Sequence, residues 1–248
     1  MTGVAPYEKL ALIYDQLMKH VDYRSWANYI NKLITKYHPK TKTILDASCG
    51  TGNLLAMLRR YPYDFLGCDF SLPMLKQAKV KGKIESIPIW RCSMVDLAVQ
   101  KKVDVILSLY DSVNYIMEIE NIIKFISNAE VALQNGGLLI FDICTERNAI
   151  KYFYNYYDHD SQITFKYDRW SHYDQKTHIQ HTEFKVHFYS EKKTYLEKHK
   201  QKIYSIRAIL DAINSTSMKL IDIYDGYTFQ PANSKSNRIH FVLRLDYS

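Results

Sequence analysis

The chain has 248 residues, 47% hydrophobic and 24% charged, with 33 Lys+Arg against 26 Asp+Glu for a net charge of +7. These proportions exclude a disordered chain, and no apolar run reaches the ~18–20 residues that a membrane span needs. Four dispersed cysteines exclude a disulfide scaffold and fit the cytosol, and the basic residues are spread as a solvated surface rather than gathered in a block that would mark a nucleic-acid face.

Residues 1–10 show no secretory signal. Apolar spacing predicts helices over 11–18 and 25–37. A short strand over 42–47 ends in Asp46, a helix follows over 53–61, and a second strand over 64–68 is closed by Asp69. Pro73 opens a helix over 73–81. Strands are predicted over 87–91 and 103–109, the latter nearly all apolar, as burial on both faces requires. A helix over 119–133 stops at Asn135-Gly136-Gly137, and 138–143 is a further buried strand. From 152 to 189, twelve of 38 residues are Tyr, Phe or Trp, and 163–170 and 177–189 alternate as antiparallel strands with one exposed face do. Helical spacing returns over 205–213, with strands over 219–224 and 238–245. The expected fold is α/β, a doubly wound, Rossmann-like, mostly parallel seven-stranded sheet with an inserted antiparallel β lid. The divisions are a core with an N-terminal helical cap (1–150), the lid (151–200) and a C-terminal return to the core (201–248).

The turn Asp46-Ala47-Ser48-Cys49-Gly50-Thr51-Gly52 lies between a strand and a helix, where small residues let a ligand approach backbone and helix N-terminal N–H groups. It is no dinucleotide fingerprint, since Leu55 stands where the third Gly belongs, and it lacks the Gly-Lys-Ser/Thr element of a P-loop. Asp69, 17 residues beyond Gly52, ends the second strand, where a carboxylate can accept both ribose hydroxyls. The plainer alternative is that Asp69 caps the helix near Pro73.

These residues resemble the class I S-adenosylmethionine (SAM)-dependent methyltransferases. The Asp46–Gly52 turn is similar to the family's first motif, with Ser48 where many members have Gly, and Asp69-Phe70-Ser71 with Met74-Leu75 and Ala78 resembles the second. Ser93-Met94 falls where the family places an acidic and an apolar residue beside the adenine. Asp111-Ser112-Val113-Asn114-Tyr115, Glu197-x-His199-x-Gln201-x-x-Tyr204 and Ser236-x-Arg238-Ile239-x-Phe241-Val242 resemble a subgroup of small-molecule methyltransferases, including sugar-amine N-methyltransferases with a β-rich insertion. The resemblance implies SAM as cofactor, S-adenosylhomocysteine as product and no metal. It implies cofactor contacts from Tyr14, Trp26, Asp46, Ser48, Gly50, Gly52, Asp69, Phe70, Met74, Ser93, Met94 and Tyr110. In related enzymes the N-terminal segment closes over the cofactor, and Tyr14 is the match for that position.

His199 is a candidate base near neutral pH, alongside Tyr14. Tyr115 and Asn114, at the carboxyl edge of the sheet, are candidate substrate contacts, and Arg169 and Arg238 are candidates for an acidic acceptor. Cys49, Cys68, Cys92 and Cys144 fall near strand ends, but none of their spacings is that of a zinc site. The expected activity is methyl transfer to N or O of a small molecule by a cytoplasmic monomer or homodimer that binds no membrane and no nucleic acid. The alternatives weighed are an RNA or protein methyltransferase and a SAM-binding protein without turnover.

Overall fold

A computed structural model describes residues 1–82 and 84–246. In chain order the elements are β1 (Thr2–Val4), α1 (Tyr14–Leu17), α2 (Tyr23–Tyr37), β2 (Thr43–Asp46), α3 (Asn53–Leu58), β3 (Asp64–Asp69), α4 (Leu72–Val80) and β4 (Ile89–Arg91). There follow β5 (Val103–Ser108), α5 (Ile119–Ala132), β6 (Leu133–Cys144), α6 (Glu146–Phe153), β7 (Asn155–Ser161), β8 (Phe165–Asp174) and β9 (Ile179–Phe188). The chain closes with β10 (Lys193–Lys202), α7 (Ile206–Asn214), β11 (Lys219–Asp225) and β12 (Arg238–Arg244).

Seven strands form one sheet in the order β11-β12-β6-β5-β2-β3-β4. The pairs β2/β3, β2/β5, β3/β4 and β5/β6 are parallel, and β12 runs antiparallel to both of its neighbours. Leu45, Ile106, Leu139 and Phe141 are buried on one face, and Ile44, Val105, Leu107 and Ile140 on the other. Helices cover both faces, which is why these strands read as apolar runs. Strand order reverses between β2 and β5, so a crevice opens at their carboxyl ends. Local chemistry sets the helices that flank it. Asp22 caps α2 by accepting from Ser25 N at 2.9 Å, and Ser71 caps α4 with Pro73 in its first turn.

The second sheet has the order β1-β10-β9-β8-β7 and is antiparallel except where β1 joins β10 in parallel. Its inner face buries Phe165, Phe184, Val186, Phe188 and Tyr195 against Leu10 and Ile13. Residues 2–4 therefore belong to the lid sheet and not to a helical cap on the core. The predicted helix over 11–18 is a 3₁₀ turn at Leu10–Leu12 followed by the four residues of α1. Apolar spacing showed neither β7 nor β10. Strand β7 is mostly exposed, and the inward positions of β10 after Tyr195 are Glu197, His199 and Gln201, so neither carries an apolar stripe. Asn135-Gly136-Gly137 lies within β6, beside a register irregularity in the β5/β6 pairing, because α5 already stops at Ala132.

Candidate active site

A cavity of about 770 Å³ occupies the crevice at the carboxyl ends of β2, β3 and β5. Two acids at strand ends form its floor. Asp46 accepts from Ser48 N at 3.1 Å, and Asp69 accepts from Gly50 N at 2.8 Å and Ser71 N at 2.7 Å. Asp69 thus braces the turn from the neighbouring strand, while Ser71, not Asp69, caps α4. Gly50 and Gly52 take positive φ (53° and 77°), and a Cβ on Gly52 would stand 2.6 Å from Ile84 Cδ1. Gly52 therefore shapes the turn and does not itself line the cavity. Burial pushes the Asp46 carboxyl up to about 7 against the Ser48 N–H, with Asp69 adding to the rise. Burial likewise raises Asp69, opposed by its two N–H donors. A cationic ligand group is what such a pair of buried acids lacks.

Ser48, Phe70, Met74, Ser93 and Met94 form one wall, and Tyr14, Tyr23, Trp26 and Tyr110 another. The rings of Trp26 and Tyr110 lie 5.0 Å apart, and Phe70 is exposed at the mouth. Asp15 fixes the segment carrying Tyr14. It accepts from Thr51 Oγ1 at 2.7 Å and Asn53 Nδ2 at 2.9 Å, and pairs with Lys81 Nζ at 2.6 Å. The N-terminal segment is thereby tied to the glycine turn itself.

The remaining wall is phenolic. Tyr7 and Tyr115 line the cavity, with their hydroxyls 2.7 Å apart. The Tyr115 hydroxyl is also 3.1 Å from His199 Nδ1. His199 is buried on β10 and does not reach the cavity, which corrects its expected place as a base in direct contact with an acceptor. Glu197, fully buried, accepts from the backbone N–H groups of Tyr7, Lys9 and Leu10 at 2.8, 2.5 and 2.7 Å. Tyr7 (φ 60°) is held there in the left-handed region.

Three expected substrate contacts have other work. Asn114 is buried, accepting from Cys144 N at 2.9 Å and donating to Lys202 O at 2.8 Å, so it staples the two sheets. Arg238 donates to Asp111 at 2.6 Å and Asp142 at 2.8 Å. Burial works against its charge, but Asp142 and Asp111 outweigh it, and the guanidinium is not available to an acidic acceptor. Arg169 pairs with Asp158 at 2.9 Å within the lid and does not line the cavity. Tyr7, Asp15 and Glu197 were missed as site residues. Tyr7 is one of four N-terminal aromatic residues with Tyr14, Tyr23 and Trp26, Asp15 adjoins Tyr14, and Glu197 is two residues before His199. Among the described residues no group of three or more His, Cys, Asp or Glu is arranged to hold a metal ion, and Cys144 lies against Arg238 instead.

Residues 44–137 match the family model described as a methyltransferase domain. A protein of Geobacillus sp. (strain WCH70) named as a methyltransferase is 26% identical over 96% of this chain and 99% of its own. A dTDP-3-amino-3,4,6-trideoxy-alpha-D-glucopyranose N,N-dimethyltransferase of Streptomyces venezuelae is 25% identical over 52% of this chain and 55% of its own. Among solved structures, an S-adenosylmethionine-dependent methyltransferase from Clostridium acetobutylicum shares the fold, with a TM-score of 0.83 and 23% identity over 97% of this chain and 99% of that one.

Proposed function

We propose that this chain, whose residues 44–137 match a methyltransferase domain, is an S-adenosylmethionine-dependent methyltransferase that transfers the methyl group to N or O of a small-molecule acceptor, an amine nitrogen foremost. One observation carries the reading. A single cavity joins the acids Asp46 and Asp69 to the phenols Tyr7 and Tyr115, and its volume is that of a small-molecule site, about 300–1,000 Å³. The dimethyltransferase relative acts, by its name, on an amino sugar, which supports an amine.

The residues present fit the cofactor. Asp69 accepts ribose hydroxyls with the lone pairs its backbone donors leave free. Asp46 and the N–H groups of the glycine turn hold the amino-acid end. Met74 and Met94, with Phe70 and Ser93 beside them on the same wall, would hold the adenine. Tyr14, Trp26 and Tyr110 enclose the centre, where an aromatic face suits a cation. The cofactor supplies an electrophilic methyl group. The chain's own contribution is position and dryness, since an in-line displacement asks for two reactants aligned with water excluded. The Asp15 anchor and the lid sheet both hold the covering segment in place. The cysteines are all free thiols, which suits the cytosol we assign.

Calorimetric titration with SAM and with S-adenosylhomocysteine tests the cofactor half. Micromolar binding of both is expected, and binding of neither would overturn it. A radiolabelled methyl-transfer screen over nucleotide-linked amino sugars, other amines, alcohols and RNA tests the acceptor half. Transfer to an amine is expected, and transfer to RNA alone would overturn the small-molecule reading.

A further inference from the structure

We propose that Tyr7 and Tyr115 form a two-hydroxyl proton wire from the acceptor to His199, and that Glu197 balances the charge His199 acquires. The proposal rests on the acceptor being an amine. A protonated amine has no lone pair and must lose a proton before its nitrogen can attack. The imidazole of His199 stands behind the wall of this cavity, with the Tyr115 phenol between them.

The order of the bonds follows from the partners. His199 Nε2 lies 3.4 Å from Glu197 Oε2, and the wire assigns the hydrogen of the neutral ring to that nitrogen. Nδ1 is then the acceptor, and the Tyr115 hydroxyl at 3.1 Å donates to it. With its proton so committed, Tyr115 accepts from Tyr7 at 2.7 Å, and the Tyr7 oxygen is left to accept from a group in the cavity. The acceptor ammonium gives its proton to Tyr7 as Tyr7 passes its own to Tyr115 and Tyr115 passes its own to Nδ1. The result is a neutral amine, two unchanged phenols and an imidazolium beside Glu197. No redox partner is needed. Burial holds both phenols well above their ordinary pKa, so they serve as relays and do not store the charge.

Two further features fit this role. His199 Nε2 is buried without a hydrogen bond of good geometry, and an imidazolium would draw Glu197 closer. Tyr7 sits at φ 60°, a costly conformation for a non-glycine residue, and the same Glu197 carboxylate binds its N–H. Glu197 is thus a positioning residue for the first member of the wire and a counter-ion for the last. Other groups facing the wire are Asp111, which acts on both phenols, Asp69 on Tyr7, Tyr14 from α1 and the uncharged Phe184 ring from β9.

Two measurements on the full chain test the proposal. The first is ¹⁵N-histidine NMR with S-adenosylhomocysteine added. His199 should be the Nε2–H tautomer, and Y7F should shift its Nδ1 resonance through Tyr115. An Nδ1–H tautomer overturns the wire whatever the acceptor proves to be. The second is the pH–rate profile with the amine that the wild type turns over. Y115F should lower kcat about 100-fold near neutral pH, leave SAM affinity unchanged, and regain activity at alkaline pH, where the amine is already neutral. Y7F should do the same, and Y7F/Y115F should lose no more than either alone, because a wire acts as a unit. Equal loss at every pH, or additive losses, would overturn it. Failure of the wild type to methylate any amine, with the Nε2–H tautomer intact, would instead sink the acceptor reading.

Discussion

The two sides of the cavity are built on different length scales. On the core side the two acids find their polar partners close in sequence: Asp46 with Ser48, Asp69 with Ser71, Asp69 with Gly50 across 19 positions. On the lid side Glu197 reaches Tyr7 across 190 positions and Tyr7 reaches Tyr115 across 108. The core side is a turn that folds on itself and presents backbone N–H groups. The lid side exists only once the N-terminal segment has met residues more than 100 positions downstream. A site of the first kind suits a ligand common to many enzymes, and one of the second kind can be remodelled for a new acceptor without disturbing the turn.

Arg238 is where the two sides meet, so its loss should give the largest effect. Arg238→Met leaves Asp111 and Asp142 buried without their cation, and should cost about 3–5 kcal/mol in denaturant unfolding. A loss below about 1 kcal/mol would mean that the joint is elsewhere. Asp46 sharpens the core side through pH. Its folded pKa of about 7 lies above the unfolded carboxylate value, so the stability linked to its protonation is present below pH ~4 and is lost as pH rises toward 7, by up to about 4 kcal/mol. Asp46→Asn should flatten that slope in thermal unfolding followed against pH. His240, lowered to about 4 by burial, has the opposite slope, losing stability as pH falls, and it cancels in the comparison because both proteins carry it. A wild-type slope identical to that of the variant would show that Asp46 is already ionised.

Asp69→Ala should weaken SAM binding by about 2–4 kcal/mol through loss of charge-assisted hydrogen bonds, while the KM for the acceptor stays put. If the acceptor KM rose and SAM affinity held, the division of labour between the two sides would be wrong. The smallest effect belongs on the outer face of the lid. Lys198→Ala breaks an exposed pair with Glu183 and should change stability by less than about 1 kcal/mol.

The same difference in scale decides what the amino-acid order alone discloses. Asp46 and Asp69 are legible because each ends an apolar run and has a partner two residues on, and Gly50 because it stands in a run of small residues between a strand and a helix. The central strands β2, β5, β6 and β12 are legible as apolar runs because they are largely buried on both faces. Strand β10 is hidden because its inward residues are Glu197, His199 and Gln201, which bond to partners from other parts of the chain through Glu197 Oε2, His199 Nδ1 and Gln201 Nε2. Thr2–Val4 is too short to carry any period. The arginines mislead for a related reason. Arg238 is as basic in sequence as a ligand-binding residue, and only the fold shows that Asp111 and Asp142 already claim it.

The pairing of β1 with β10 also sets a clock. During synthesis the glycine turn and its bracing strand emerge together, and the core sheet can begin to assemble around them. Tyr7 emerges earlier still, yet its backbone partner Glu197 lies 190 residues downstream. Contacts of such separation form slowly, because a long loop must be closed before they contribute. The wall built on the glycine turn can therefore form first, and the phenolic wall waits for β10.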